Sequence, residues 1–157
     1  MMTDAQRDQL RRRLLGRGIQ LAPVGDLGRD IELATDGTDL AMVQGVDNIG
    51  QALTVAVLTP LGGDVFNTAF GFDGLNALVD ESSPVLQRER VRVSIVQLLQ
   101  KDARVSRIVD VRLVDARLDA PTTGAARQLD VRVVFEVASG DQLTLSAGNA
   151  GTRLTNG

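Results

Sequence analysis

From Leu129 to Val137 the chain alternates: Leu129, Val131, Val133, Phe135 and Val137 are apolar, with Asp130, Arg132 and Glu136 between them. Successive side chains of a strand point to opposite faces, so this run makes a strand with one dry face. A dry face needs a cover, and the sequence offers one upstream. Ser83-Pro84 predicts a helix start, because proline at the first helical position loses no hydrogen bond. That helix should run to about Lys101, with Val91, Ile95, Leu98 and Leu99 on one apolar face and Arg88, Arg92 and Gln100 largely away from it. The expected class is α+β: a small, mostly antiparallel sheet with a long amphipathic helix packed on one face, plus a short N-terminal helical arm.

The other segments are read around this pair. Thr3 to about Leu15 predicts the arm, with Thr3 or Asp4 as cap and a thin stripe of Leu10, Leu14 and Leu15. Arg11, Arg12 and Arg13 read as a solvated face in preference to an anion-binding patch. Gly16, Gly18, Pro23, Gly25 and Gly28 punctuate an expected linker over 16–29. The runs Asp30 to Ala34 and Leu40 to Gln44 flank Asp36-Gly37, a hairpin signal. Asp47 to Leu58 reads as a helix with Ile49, Leu53 and Val57 four apart, capped by Asp47 and ended by Pro60. Val105 to Leu118 alternates and then changes phase at Val114, which predicts a bulge. A loop is expected over Asp119 to Arg127. Ser139-Gly140-Asp141 should turn into a last strand carrying Leu143 and Leu145, followed by a mobile polar tail from Gly148. The expected domains are an arm and linker over 1–29, an α+β body over 30–147 and a tail over 148–157.

Absent residue types narrow the function. The 157 residues include no cysteine and no histidine. Thiol catalysis, disulfides, imidazole-ligated zinc and Ser-His-Asp systems are therefore closed to this chain. Without Trp or Tyr, stacking on sugars or bases would rest on four phenylalanines. A net charge of −3 opposes a bulk electrostatic grip on nucleic acid. No apolar run approaches the roughly 20 residues that span a bilayer. Cytoplasmic residence until assembly is the expectation.

Asp64, Asp73, Asp80 and Glu81 surround a glycine-rich stretch and are the best candidates for the acid pair that glycoside hydrolysis requires. Turn formation and helix capping explain such residues more economically. No phosphate cradle and no EF-hand spacing is present. No catalytic residue, metal site or cofactor is assigned. The same stretch, Thr59 to Leu75, carries Phe66, Phe70 and Phe72, which pack either into the core or onto a partner.

From about Leu40 to Leu113 the order of pieces resembles the baseplate wedge family of contractile tails, the GPW or gene product 25-like family. The pieces are Val43-Gln44-Gly45-Val46-Asp47-Asn48-Ile49 leading into a helix, Thr59-Pro60-Leu61-Gly62-Gly63, the aromatic–glycine step Phe70-Gly71-Phe72-Asp73, and a long helix. An acid-Pro-Arg turn and a strand then follow in the family. Here the turn reads Lys101-Asp102-Ala103-Arg104, which keeps an acid and the arginine and replaces the family's glutamate and proline by Asp102 and Ala103.

The resemblance implies a structural wedge subunit and sheath initiator in a phage virion tail or injection-particle baseplate, in six copies around a hub. Its implied partners are larger wedge proteins with a helical core bundle, the sheath protein, and hub or tube proteins, without nucleic acid or membrane. Asp102, Ala103 and Arg104 are the implied contact with the core bundle, and Phe66, Phe70 and Phe72 form a candidate partner-facing loop. The residues themselves add one expectation: a last strand followed by a mobile tail leaves an edge open to strand addition. Two other readings stand beside this one. Some family members are described as lysozyme-like, which implies murein hydrolysis, and an adaptor outside any tail is the third.

Overall fold

The structure, a computed structural model, describes residues 2–25, 28–119, 128–148 and 151–156. It is mixed helix and strand with small antiparallel sheets. Its centre is a four-stranded antiparallel meander ordered β5-β6-β7-β8: β5 (Val105–Asp115), β6 (Leu129–Val137), β7 (Gln142–Gly148) and β8 (Gly151–Asn156). Val131, Val133, Phe135 and Val137 of β6 are all buried, as the alternation requires. They share one apolar cluster with Leu113, Leu143 and Leu145 of the neighbouring strands.

Two helices supply most of the rest of that cluster. Helix α4 (Pro84–Lys101) contributes Val91, Ile95, Leu98 and Leu99, and α2 (Gly45–Leu58) contributes Ile49, Leu53 and Val57. Helix α3 (Asp73–Asp80) lies in a stretch for which the sequence predicted only loop and an unassigned approach to Pro84. Its sequence is too short for a clear period, and Arg90 of α4 ties it down with two hydrogen bonds to Asp73, of 2.9 and 3.0 Å. The N-cap position of α2 is Gln44, whose side chain makes no capping bond, and the expected cap Asp47 sits inside the first turn.

Four expectations need correction. First, helix α1 (Asp4–Leu15) begins at Thr3 with a full capping box, but it is no free arm. Leu15 is completely buried, and its carbonyl accepts from Asn48 Nδ2 at 2.9 Å. Arg11 makes a bidentate pair with Asp141 at 2.9 and 2.6 Å, which fastens α1 to the β6–β7 turn.

Second, the expected linker is strand. β1 (Arg17–Ile19) pairs with β4 (Met42–Gln44), and β2 (Leu21–Val24) pairs with β3 (Gly28–Ile31). The predicted hairpin survives only as a Leu33–Leu40 bridge, because both of its arms take partners from 17–24. Three two-stranded arms meet where Gln20 donates to Ala41 O (2.8 Å), Ala41 to Glu32 O (2.9 Å) and Glu32 to Gln20 O (3.0 Å). Gln51 of α2 holds the junction, accepting from Leu21 N–H at 2.7 Å and donating to Ile19 O at 2.8 Å.

Third, the register of β5 shifts between Val105 and Arg107 and between Ile108 and Asp110, earlier than the predicted bulge. The phase change near Val114 marks the end of the strand, where Ala116–Asp119 forms a short helix, α5. Asp115 causes it by accepting the Arg117 N–H at 2.9 Å. Apart from Asp119, the loop predicted over 119–127 lies outside the described residues.

Fourth, the polar tail supplies β8, which pairs with β7 from Leu143↔Asn156 to Gly148↔Gly151. The edge of β7 is therefore occupied, and the meander ends at β5 and β8. Leu154 of β8 packs on Gly50, which puts α2 on the inner face of the sheet.

Candidate interaction site at the α4–β5 turn

The turn predicted as a contact point is built from the end of α4. Asp102 caps the helix, its N–H donating to Leu99 O at 3.2 Å, and Val105 N–H returns to Asp102 O at 3.0 Å. The Asp102 carboxylate accepts three hydrogen bonds from Arg104: from the backbone N–H (3.0 Å), Nε (2.8 Å) and Nη2 (2.6 Å). Burial pushes the Asp102 carboxyl upward, but the Arg104 side chain and backbone together outweigh it and hold the group below the ordinary carboxylate range. Arg104 Nη1 also reaches Leu15 O at 3.4 Å, and Arg104 O accepts from Ala138 N–H at 2.8 Å. The turn is thus fixed to α1 and to the β6–β7 turn. Ala103 sits at its crest, exposed, between two residues whose charges satisfy each other.

The second predicted element divides. Phe72 is 6% exposed and packs in the core, so it is not partner-facing. Phe70 is partly buried against the same cluster, with one side in a groove. Phe66 is 98% exposed at the tip of a turn that Asp64 holds through Phe66 N–H at 2.9 Å. The stretch stays close to Thr59-Pro60: Phe72 N–H donates to Thr59 O at 2.8 Å, and Pro60 bridges Phe72. Gly71 permits that approach. At φ +111° it sits so near that an added Cβ would lie 2.6 Å from Pro60 O and 2.7 Å from Thr59 O.

Phe70 and the Asp102–Arg104 turn meet at one groove of about 320 Å³, whose floor is Leu53, Ala56 and Leu98. Lys101 closes it by donating from Nζ to Ala69 O at 3.3 Å, across 32 positions of sequence. The arrangement has an apolar floor, an aromatic wall and a polar rim of Lys101 and the Asp102–Arg104 pair, the anatomy of a small protein-binding site. Sequence reasoning missed Lys101 and the α2 floor. The small residues Ala52 and Ala56, one turn apart on α2, were the available signal.

The candidate acids are placed differently. Asp73, Asp80 and Glu81 gather around Arg90, with Asp80 at 3.4 Å and Glu81 at 3.5 Å. Hydrogen bonding to Arg90 holds the Asp73 carboxyl low, outweighing partial burial; a general acid needs the opposite shift. Asp64 spends its side chain on its own turn. Among the described residues no group of three or more His, Cys, Asp or Glu could hold a metal ion, and no helix is long and apolar enough to cross a membrane.

No family model matches the chain, and no curated protein matches it.

Proposed function

We propose that this chain is a structural baseplate wedge subunit of a contractile phage tail or related injection system, joining larger wedge proteins to the first sheath ring. One observation carries the reading. The two motifs of the resemblance that are distant in sequence, the aromatic–glycine step and the acid-x-Arg turn, line a single groove. In this reading α4 and the N-terminal helix frame the turn, and Ala103 meets the core bundle. Phe70 and Lys101 then receive an apolar and an acidic side chain of that bundle. Strand addition toward the sheath takes place on β5 or β8, since β7 is already paired on both sides.

The test is purification of the tagged chain from its native host with identification of what accompanies it. Large wedge proteins and sheath protein should be recovered with the wild-type chain. Ala103→Arg, a change at an exposed crest, should lose the wedge proteins while the melting temperature stays put. Recovery of the chain alone, or of cell-wall fragments, would refute the proposal.

A further inference from the structure

The outer face of the meander carries an arrangement that the groove does not use. Strand register places Arg112 opposite Arg132, Arg132 opposite Ser146, and Ser146 opposite Arg153. Three arginines therefore lie in one row across four strands. Like charges facing each other across a sheet oppose its pairing. Arg112 is relieved by Asp110 at 2.7 Å. Arg132 and Arg153 are exposed and form no ion pair among the described residues. They flank a groove of about 550 Å³ with Ser146 between them, Thr155 further along β8, and Val114, 54% exposed, also in the lining. The groove also holds Asp130, which accepts from Gln128 Nε2 at 2.9 Å. This row is a preformed anion-accepting surface with an apolar margin. A nucleic-acid backbone is a poor occupant, because no aromatic lines the groove and the chain as a whole carries a net charge of −3.

The complementary surface is on the same chain. The hairpin 32–41 has Asp36 and Asp39 at its tip, both exposed and outside any ion pair among the described residues. Each is oriented by a backbone donor, Thr38 N–H at 3.1 Å and Leu40 N–H at 2.7 Å. Beside them Leu33 is 60% exposed and Leu40 37%. Two unpaired carboxylates with two exposed leucines answer two unpaired arginines with an exposed valine. Within one molecule the match is not made: neither aspartate pairs with Arg132 or Arg153 among the described residues, and the hairpin leads through β4 into α2, which packs on the other face of the sheet.

We propose that the chain associates head to tail with a second copy, the 32–41 hairpin of one molecule seating in the Arg132–Arg153 groove of the next. The two patches differ, so the contact is heterologous and propagates to a closed ring or a filament. A contact the size of a hairpin tip falls below the roughly 1,200 Å² of a stable interface, so the association is weak, concentration-dependent and sensitive to salt. It does not depend on the baseplate reading, and needs no other protein to be tested.

Sedimentation velocity of the purified full chain should show mass rising above the monomer between about 10 μM and about 500 μM, the range where weak contacts of this class populate. It should return to the monomer near 1 M salt, where the Debye length is about 3 Å. Arg132→Gln/Arg153→Gln and Asp36→Asn/Asp39→Asn should each be monomeric, the asparagines keeping the turn acceptors. Mixed together, they should form a one-to-one dimer and nothing larger, because each supplies the face the other lacks. Val114→Asp is a second, independent route to the monomer should the double arginine variant lose its circular-dichroism signal. A wild-type chain monomeric throughout, variants that associate like wild type, or a mixture that stays monomeric would each overturn the proposal.

Discussion

Gly71 and Gly140 offer a pair of substitutions that separates backbone strain from close approach. Both have positive φ, +111° and +84°, so alanine at either site is strained. At Gly140 nothing lies within 4 Å of the added Cβ, whereas at Gly71 it meets Pro60 O at 2.6 Å and Thr59 O at 2.7 Å. Those obstacles are backbone atoms and cannot rotate aside. Gly140→Ala should therefore cost only the conformational term, about 1–2 kcal/mol. Gly71→Ala adds loss of the Phe72 N–H bond to Thr59 O, about 1 kcal/mol, and partial exposure of the Phe72 ring, about another 1 kcal/mol. The total of about 3–4 kcal/mol corresponds to a melting temperature lower by roughly 10 °C, against roughly 4 °C for Gly140→Ala. Differential scanning calorimetry supported by urea titration measures both. Equal shifts, or a Gly71→Ala protein melting within about 1 °C of wild type, would refute the contact argument and the packing of 70–72 against Pro60.

Three more outcomes follow from the same structure. Asp73, Asp102, Asp115 and Asp141 are all held below the ordinary carboxylate value of 3.8 by arginine partners, and the chain has no histidine. Their stabilisation is present in full above that value and is lost as pH falls from it through their lowered folded-state values, so urea midpoints should be flat from about pH 5.5 to 8.5 and drop below about pH 4; a midpoint changing by more than a tenth between pH 6 and 8 contradicts this. Asp115→Ala removes the partner of Arg117 from a fully buried position and should cost about 3 kcal/mol in the same titration, with less than about 1 kcal/mol speaking against the Gln87–Arg117–Asp115 network. Leu99→Ala should cost about 2–5 kcal/mol and Val93→Ala under about 0.5 kcal/mol, since Leu99 is fully buried and Val93 half exposed on the same helix; similar losses would mean α4 packs on another face.

The mixture of helix and antiparallel strand was legible because β6 carries an apolar residue at every second position from Leu129 to Val137, and Val134 is the one break on its other face. The strands that escaped notice share a physical cause: their partners and covers are distant in sequence. β1 and β2 contain Gly18 and Pro23, which read as linker until Gln51 supplies hydrogen bonds from α2. β8 shows one leucine, Leu154, and that residue becomes an apolar signal only when Gly50 lies beneath it. The candidate site was half legible. Asp102 and Arg104 were singled out through their order in the chain, but their use of each other as partners could not be read from a one-residue separation. Phe72 was left open between core and partner because aromatic clustering does not reveal which ring turns in; the Thr59 carbonyl fixes the backbone of that residue, whose ring is buried.

The arginines show what composition hides. Counted together with the single lysine they leave a net charge of −3, which looks like an unremarkable balance. In the fold two groups stand out. Arg11, Arg90, Arg104 and Arg117 each join segments where an element begins or ends: α1 to the β6–β7 turn, α3 to α4, the α4–β5 turn to α1, and α5 to α4. Arg11 and Arg90 do so by forked pairs with a distant carboxylate, while Arg104 and Arg117 fork onto the aspartate two residues before them and spend one further N–H on the neighbouring segment, a use to which a guanidinium is better suited than an ammonium. Arg132 and Arg153 belong to the other group, because they stand mid-strand, where ladder bonds already fix the backbone, and meet no carboxylate among the described residues. A charge that orients nothing within its own chain, in a row that weakens its own sheet, makes sense when the opposing charge comes from another molecule.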